Sequence, residues 1–184
     1  DWSSDVCSSD LARIRRQQVV LSALLQQVTS AGTLLNLEHL CAAREAGATF
    51  GLAPGLDLQV VAASKALDFP FAPGVMTPSE VGTALSAGLQ TMKFFPAGAA
   101  GGTKMLSAIE APFSHLGPRF IPTGGVTLAN MHEWLAIPTV LAIGGTWLAT
   151  RDAINRGAWK EIADACKAAI NRVAEIRGRA TRKD

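Results

Sequence analysis

The chain has 184 residues, 48% hydrophobic and 17% charged, an ordinary composition for one globular domain with a real core. A net charge of +2 is too small to call for a nucleic-acid partner, and no apolar run is long enough to span a membrane. Three cysteines (Cys7, Cys41, Cys166) and three histidines (His39, His115, His132) share no metal-ligand spacing. A cytoplasmic protein with reduced thiols is therefore expected, with no metal and no cofactor.

Residues 1–11 read DWSSDVCSSDL, with no helical or strand period. The segment resembles the translation of a sequencing adapter, so a non-native leader is expected, ahead of a domain over 12–177 and a basic, solvated tail over 178–184. From Gln27 onward, short apolar runs end in Gly or Pro, and each is followed by an amphipathic stretch. The spacing, roughly twenty to thirty residues, is that of a strand-plus-helix unit. Strands are predicted over Gln27–Leu34, Thr49–Ala53, Phe69–Ala72, Thr91–Phe95, Phe120–Pro122 and Val140–Ile143.

Helix starts are signalled by caps. Asn36 can cap Leu37–Ala46, and Thr127 can cap a helix through Leu135. Thr77-Pro78-Ser79-Glu80 is a capping box with proline in the first turn. Glu80 is accordingly read as structural. In the last helix, Ala158–Ile176, the stripe of Trp159, Ile162, Cys166, Ile170 and Val173 is read as core packing.

Strands alternating with helices give a parallel sheet, either doubly wound or closed as an eight-stranded barrel. A barrel needs eight units and six are legible, which fits a barrel lacking its first two strands. Residues Ala12–Gln26 would then be what remains of the second helix, and apolar faces near Val28 and Leu141 would meet solvent.

In parallel α/β folds, functional groups gather where strands end. Thr33 lies at the end of the first predicted strand, and Pro73-Gly74 follows the third. Lys93 lies inside the apolar run Met92-Lys93-Phe94-Phe95. A lysine there either sends its amine to the strand end and stays charged, or loses its proton and becomes a nucleophile for carbonyl carbon. Alternation puts Lys93 and Phe95 on one face, where the ring can exclude water from the amine. The last two strands end in Thr123-Gly124-Gly125 and Gly144-Gly145-Thr146. Such glycines serve turns, and they also let backbone N–H groups approach a phosphate. Thr123 and Thr146 can add hydroxyl donors or make ordinary turn hydrogen bonds. An inward lysine facing a phosphate site suggests Schiff-base chemistry on a phosphorylated keto acid or sugar. A phosphosugar isomerase or synthase shares the glycine loops but needs no lysine in a strand.

The stretches SAGTLLN, GLAPGL, APGVMTPSEV, MKFFPAGAAGG, PTGGV and IGGTWL, in that order, resemble the 2-keto-3-deoxy-6-phosphogluconate and 4-hydroxy-2-oxoglutarate aldolases. The resemblance implies a class I aldolase on a (β/α)8 barrel, usually a homotrimer, forming pyruvate and glyceraldehyde 3-phosphate. It implies Lys93 as the Schiff-base lysine and Phe95 as its packing neighbour. Thr33, Pro73 and Thr123 would line the pyruvate end, and Gly124, Gly125, Gly144, Gly145 and Thr146 the phosphate end. Two departures stand out. The family's Glu-x-Thr-x-Arg strand end has no counterpart, since residues 12–26 hold no acidic residue. Gly98 stands where the family often has glutamate. A galactonate-type substrate and an impaired fragment that keeps only phosphate binding are the alternatives.

Overall fold

The computed structural model describes residues 37–45 and 47–180. Thr33, Asn36, Cys7, the strand expected over Gln27–Leu34 and the helix remnant expected over Ala12–Gln26 lie outside the described residues. The chain divides into two compact units, one comprising the described residues up to Ala53 together with 57–71, the other 54–56 together with 72 onward.

In the first unit, helix α1 (Leu37–Glu45) precedes strand β1 (Gly51–Leu52), shorter than the run predicted over Thr49–Ala53. The Gly51 amide donates to the Pro70 carbonyl at 2.8 Å. Helix α2 (Leu58–Ala66) starts where the Asp57 carboxylate accepts the Gln59 amide at 2.8 Å, satisfying one orphan donor of the first turn. Leu40, Val60 and Phe69 form a small core. Strand β2 (Phe71–Ala72) begins at the last residue of this unit.

The second unit is built on three parallel strands in the order β3 (Gly74–Val75), β4 (Thr91–Phe94) and β5 (Arg119–Pro122). Gly74 pairs with Lys93, Lys93 with Ile121, and Phe94 with Pro122. Helices follow each strand. The predicted capping box is present at α3 (Pro78–Ser86): the Thr77 hydroxyl accepts the Glu80 amide, and the Glu80 carboxylate accepts the amides of Met76 and Thr77 at 2.8 Å. Helix α4 (Gly102–Glu110) runs into a 3-10 turn (Ala111–Leu116), closed by Gly117.

Alternation along β4 decides what is buried. Met92 and Phe94, 0% and 1% exposed, pack with Val81 and Ala84 of α3, Leu106 and Ile109 of α4, and Phe120. Burying a side chain the size of Phe94 contributes about 1.5–3 kcal/mol. Its ring also meets Trp134 with centroids 6.3 Å apart. Lys93 and Phe95 are left on the opposite face.

Three expectations are corrected. Val140–Ile143 forms no continuous strand; it joins the sheet through single bridges, Val140 to Phe120 and Gly144 to Thr123. The helix expected from Thr127 begins later, as α5 (Met131–Leu135). Thr127 and Asn130 instead close the preceding turn, the Thr127 amide donating to Asn130 Oδ1 at 2.7 Å and the Asn130 amide to Thr127 Oγ1 at 3.3 Å. After a 3-10 turn (Thr146–Leu148) and α6 (Arg151–Asn155), α7 (Trp159–Ala180) closes the described residues. Its apolar stripe is not core: Trp159 and Ile170 are exposed, and Cys166, Ile170 and Val173 line an open apolar groove of about 380 Å³ with Leu141 and Leu148.

Candidate active site

The β3–β4–β5 register aligns the ends of neighbouring strands. Lys93 is held on both sides: its amide donates to the Pro73 carbonyl at 2.8 Å, and its partner on β5 is Ile121. One step along, the Phe95 amide donates to Val75 at 3.2 Å and the Thr123 amide to Phe94 at 3.0 Å. A period of two puts Lys93, Phe95, Ile121 and Thr123 on one face. Pro73 is fully buried, so it meets this face through its carbonyl on the Lys93 backbone.

The Lys93 amine is half-buried and stands 4.4 Å above the centroid of the Phe95 ring. Burial lowers its pKa from the ordinary lysine value. Among the described residues no carboxylate pairs with it. The ring face pulls the other way, since it attracts a cation by about 0.5–1 kcal/mol at a partly wet site. A partly desolvated amine beside an aromatic face fits nucleophilic attack on a ketone.

The other end of the face is glycine-rich. Gly124 and Gly125 have φ of +84° and +87°, a conformation that side chains disfavour. Phe95 packs on the first of them, its ring 3.2 Å from where a Gly124 Cβ would stand. On the neighbouring segment, the Gly144 amide donates to the Pro122 carbonyl at 3.1 Å. The amides of Gly125 and Gly145 meet no acceptor among the described residues. Thr146 is exposed and opens only a three-residue turn. The helix dipole expected behind each glycine pair is thus small, and free backbone N–H groups are what an anion would find.

Two polar side-chain atoms are buried without a partner among the described residues, Thr123 Oγ1 and Trp147 Nε1. Both stand at the second glycine pair. Thr123 Cγ2 is 2.9 Å from a Gly144 Cβ position, and Trp147 Nε1 is 2.3 Å from that of Gly145. An unfilled buried donor costs about 1–3 kcal/mol, so a ligand or water is the natural partner of each. Trp147 was not singled out from the sequence; only its place two residues after a glycine pair hints at it. The place of Ile121 beside Lys93 also comes from pairing across strands, which no local motif reports.

Among the described residues no group of three or more His, Cys, Asp or Glu is placed to hold a metal ion, and no helix is long and apolar enough to cross a membrane. Strands β1 to β5 carry no Asp or Glu.

Comparison with known proteins bears on this arrangement. The family described as KDPG and KHG aldolase matches residues 6–165. The KHG/KDPG aldolase of Escherichia coli (strain K12) is 39% identical over 164 residues, 89% of this chain and 74% of the relative. A KDPG aldolase from Legionella pneumophila, whose structure holds pyruvate as a covalent carbinolamine intermediate, is 34% identical with a TM-score of 0.69 over 84% of this chain and 75% of that one. The 2-keto-3-deoxy-6-phosphogluconate aldolase of Zymomonas mobilis ZM4, solved with 3-phosphoglycerate, is 34% identical with a TM-score of 0.64 over 74% of this chain. The chain spans about three quarters of the length of the first two proteins and 64% of the third.

Proposed function

The chain belongs to the KDPG and KHG aldolase family, and on that premise we propose that it is a class I aldolase acting on 2-keto-3-deoxy-6-phosphogluconate, with 4-hydroxy-2-oxoglutarate as a second substrate. The observation that carries this reading is the half-buried Lys93 amine, unpaired with any described carboxylate and stacked on the Phe95 ring that packs against Gly124.

The Lys93 lone pair attacks the substrate's C2 ketone, and loss of water leaves an iminium. The cation draws the electrons of the C3–C4 bond, the C4 hydroxyl gives up its proton, and glyceraldehyde 3-phosphate leaves. The enamine left behind takes a proton at C3, and water hydrolyses the iminium to pyruvate and free amine. Phe95 shields the amine and faces the cation. Thr123 Oγ1 is the candidate donor to the substrate carboxylate; the family resemblance assigns Thr33 and Pro73 to the same pyruvate end. The Gly125 and Gly145 amides and the Thr146 hydroxyl are offered to the phosphate, with Gly124 and Gly144 shaping the two turns that present them.

The parallel strands fit part of a (β/α)8 barrel, and the protein is read as a cytoplasmic homotrimer. The lack of any Asp or Glu on the described strands β1 to β5 favours one second reading: a catalytically impaired fragment that retains phosphate binding.

Borohydride reduction in the presence of pyruvate tests the reading. A reduced pyruvate adduct on Lys93, lost in Lys93→Ala, is the expected result. No adduct alongside retained phosphate binding would leave only the fragment.

A further inference from the structure

The glycine turn at the end of β5 is held by a side chain that lies beyond it. Asn130 Nδ2 donates to the Gly125 carbonyl at 3.0 Å, and Asn130 Oδ1 accepts the Thr127 amide at 2.7 Å. One carboxamide thus bridges the backbone on either side of Val126, which is 3% exposed and packs in the core. The orientation of the amide follows from its partners. Turned over, it would set oxygen against oxygen and N–H against N–H. Asn130 directly precedes α5, where an asparagine usually caps the helix, yet its side chain makes no bond to the first turn of that helix. It reaches back to the glycines instead.

The peptide ahead of Gly125 is tethered as well, because the Gly124 carbonyl accepts the Gly98 amide at 2.7 Å. Gly125 therefore stands between two held peptide planes, one fixed at the Gly124 carbonyl and the other at its own. A glycine is otherwise the residue with the widest choice of conformation, and here φ is +87°. One tether is a pivot, whereas two stop the rotation. The Gly125 amide lies in the first of these planes and meets no acceptor among the described residues, so its direction is set by both tethers together.

We propose that Asn130 is a positioning residue, whose carboxamide locks the Gly125 peptide and so aims the free Gly125 amide at the phosphate before the ligand arrives. The proposal rests on the aldolase reading above. A preformed donor needs no ordering when the ligand binds, while a loose glycine turn must give up its freedom at that moment. Pyruvate has no phosphate to place. Loss of the clamp therefore weakens the phosphorylated ligand and spares pyruvate.

The test is borohydride trapping on Lys93, titrated with pyruvate and separately with 2-keto-3-deoxy-6-phosphogluconate, in the unmutated chain, Asn130→Ala and Thr127→Ala. The last variant removes the hydroxyl that accepts the Asn130 amide but leaves the clamp on Gly125. In Asn130→Ala the half-saturating concentration of the phosphorylated ligand rises about fivefold, as loss of one neutral hydrogen bond would give. That of pyruvate stays unchanged, and Thr127→Ala moves neither. Equal shifts for both ligands in Asn130→Ala, or none, overturn the proposal. So does an equal loss in Thr127→Ala, because general loosening of the turn would then be enough. An unmutated chain that takes no adduct from either ligand defeats the aldolase reading, and the proposal falls with it. Should Asn130→Ala not fold, hydrogen exchange in the unmutated chain decides. Inorganic phosphate slows exchange at both the Gly125 amide and the Asn130 side-chain amide if the two are locked together, and unaltered exchange at Asn130 overturns the idea.

Discussion

Lys93 and Phe95 form a stacked pair, the amine 4.4 Å above the ring centroid, while the rim of the same ring rests on Gly124. One aromatic side chain therefore touches both the amine proposed as nucleophile and the turn proposed to hold the phosphate. Removing it in Phe95→Ala lets water reach the amine and weakens the burial that lowers its pKa. Pyruvate trapping at pH 7 is expected to slow several-fold, with its pH profile displaced to higher pH, whereas Phe95→Leu keeps most of the desolvation. Trapping rates measured across a pH series check this, and an unmoved profile in Phe95→Ala refutes it.

What was legible in the sequence is what neighbours along the chain decide. The Thr77–Glu80 box is written in four residues, and the opposite faces of Lys93 and Phe94 follow from alternation alone. What was not legible depends on distant partners. Val140–Ile143 has a strand's composition, yet it pairs only at Val140 and Gly144, because a ladder needs a partner in register along its whole length. The α7 stripe has helical spacing, and spacing names a face without saying what covers it. The contact of Gly98 with Gly124 and Gly125 joins residues on different loops, and small residues in a turn give no sign of it. Thr33 lies outside the described residues.

Two glycines with positive φ separate backbone strain from packing. Gly102, at +70°, has nothing near its Cβ position, so Gly102→Ala is expected to cost about 1–2 kcal/mol from the left-handed conformation alone. Gly124→Ala bears the same strain and also drives a methyl group into the Phe95 ring and the Pro96 backbone. It should cost more, by roughly 1 kcal/mol as an overpacked site does. Urea denaturation of both variants gives the difference, and equal losses would show that the ring moves aside freely.

The capping box carries a pH dependence. Burial raises the Glu80 pKa, but the Met76 amide, the Thr77 hydroxyl and the Thr77 amide all bond the carboxylate and together bring it below the ordinary glutamate value. A carboxyl more acidic in the folded state than in the unfolded one stabilises the fold above its unfolded pKa. That stability disappears as pH falls through the folded value. Glu80→Gln should flatten this acid limb, and Thr77→Ala should cost about 1 kcal/mol at neutral pH. Unfolding measured from pH 7 down into the acid range tests both.

Lys93 has the opposite linkage. Its pKa is lower folded than unfolded, so the unfolded chain binds more protons between the two values and stability rises with pH across that window. A half-wet amine makes the effect modest. Lys93→Met, of similar length and without charge, is expected to melt higher than the unmutated chain at neutral pH. The gap narrows as pH climbs toward the ordinary lysine range. A pH-independent gap would mean that the amine is as well solvated folded as unfolded.

The two apolar faces of the second unit differ in what a substitution does. Phe94 is enclosed by helix side chains and touches Trp134, so Phe94→Ala opens a cavity and should cost about 3–5 kcal/mol. Ile170 on α7 is 66% exposed beside Leu141, itself 47% exposed, so its contacts in the folded chain are few. Ile170→Lys should change stability by no more than about 0.5 kcal/mol. It interrupts an exposed apolar groove, a feature that promotes self-association, and should raise the protein concentration at which light scattering begins. A loss from Ile170→Lys as large as that from Phe94→Ala would mean that the groove is closed in solution, because only a covered isoleucine has that much to lose.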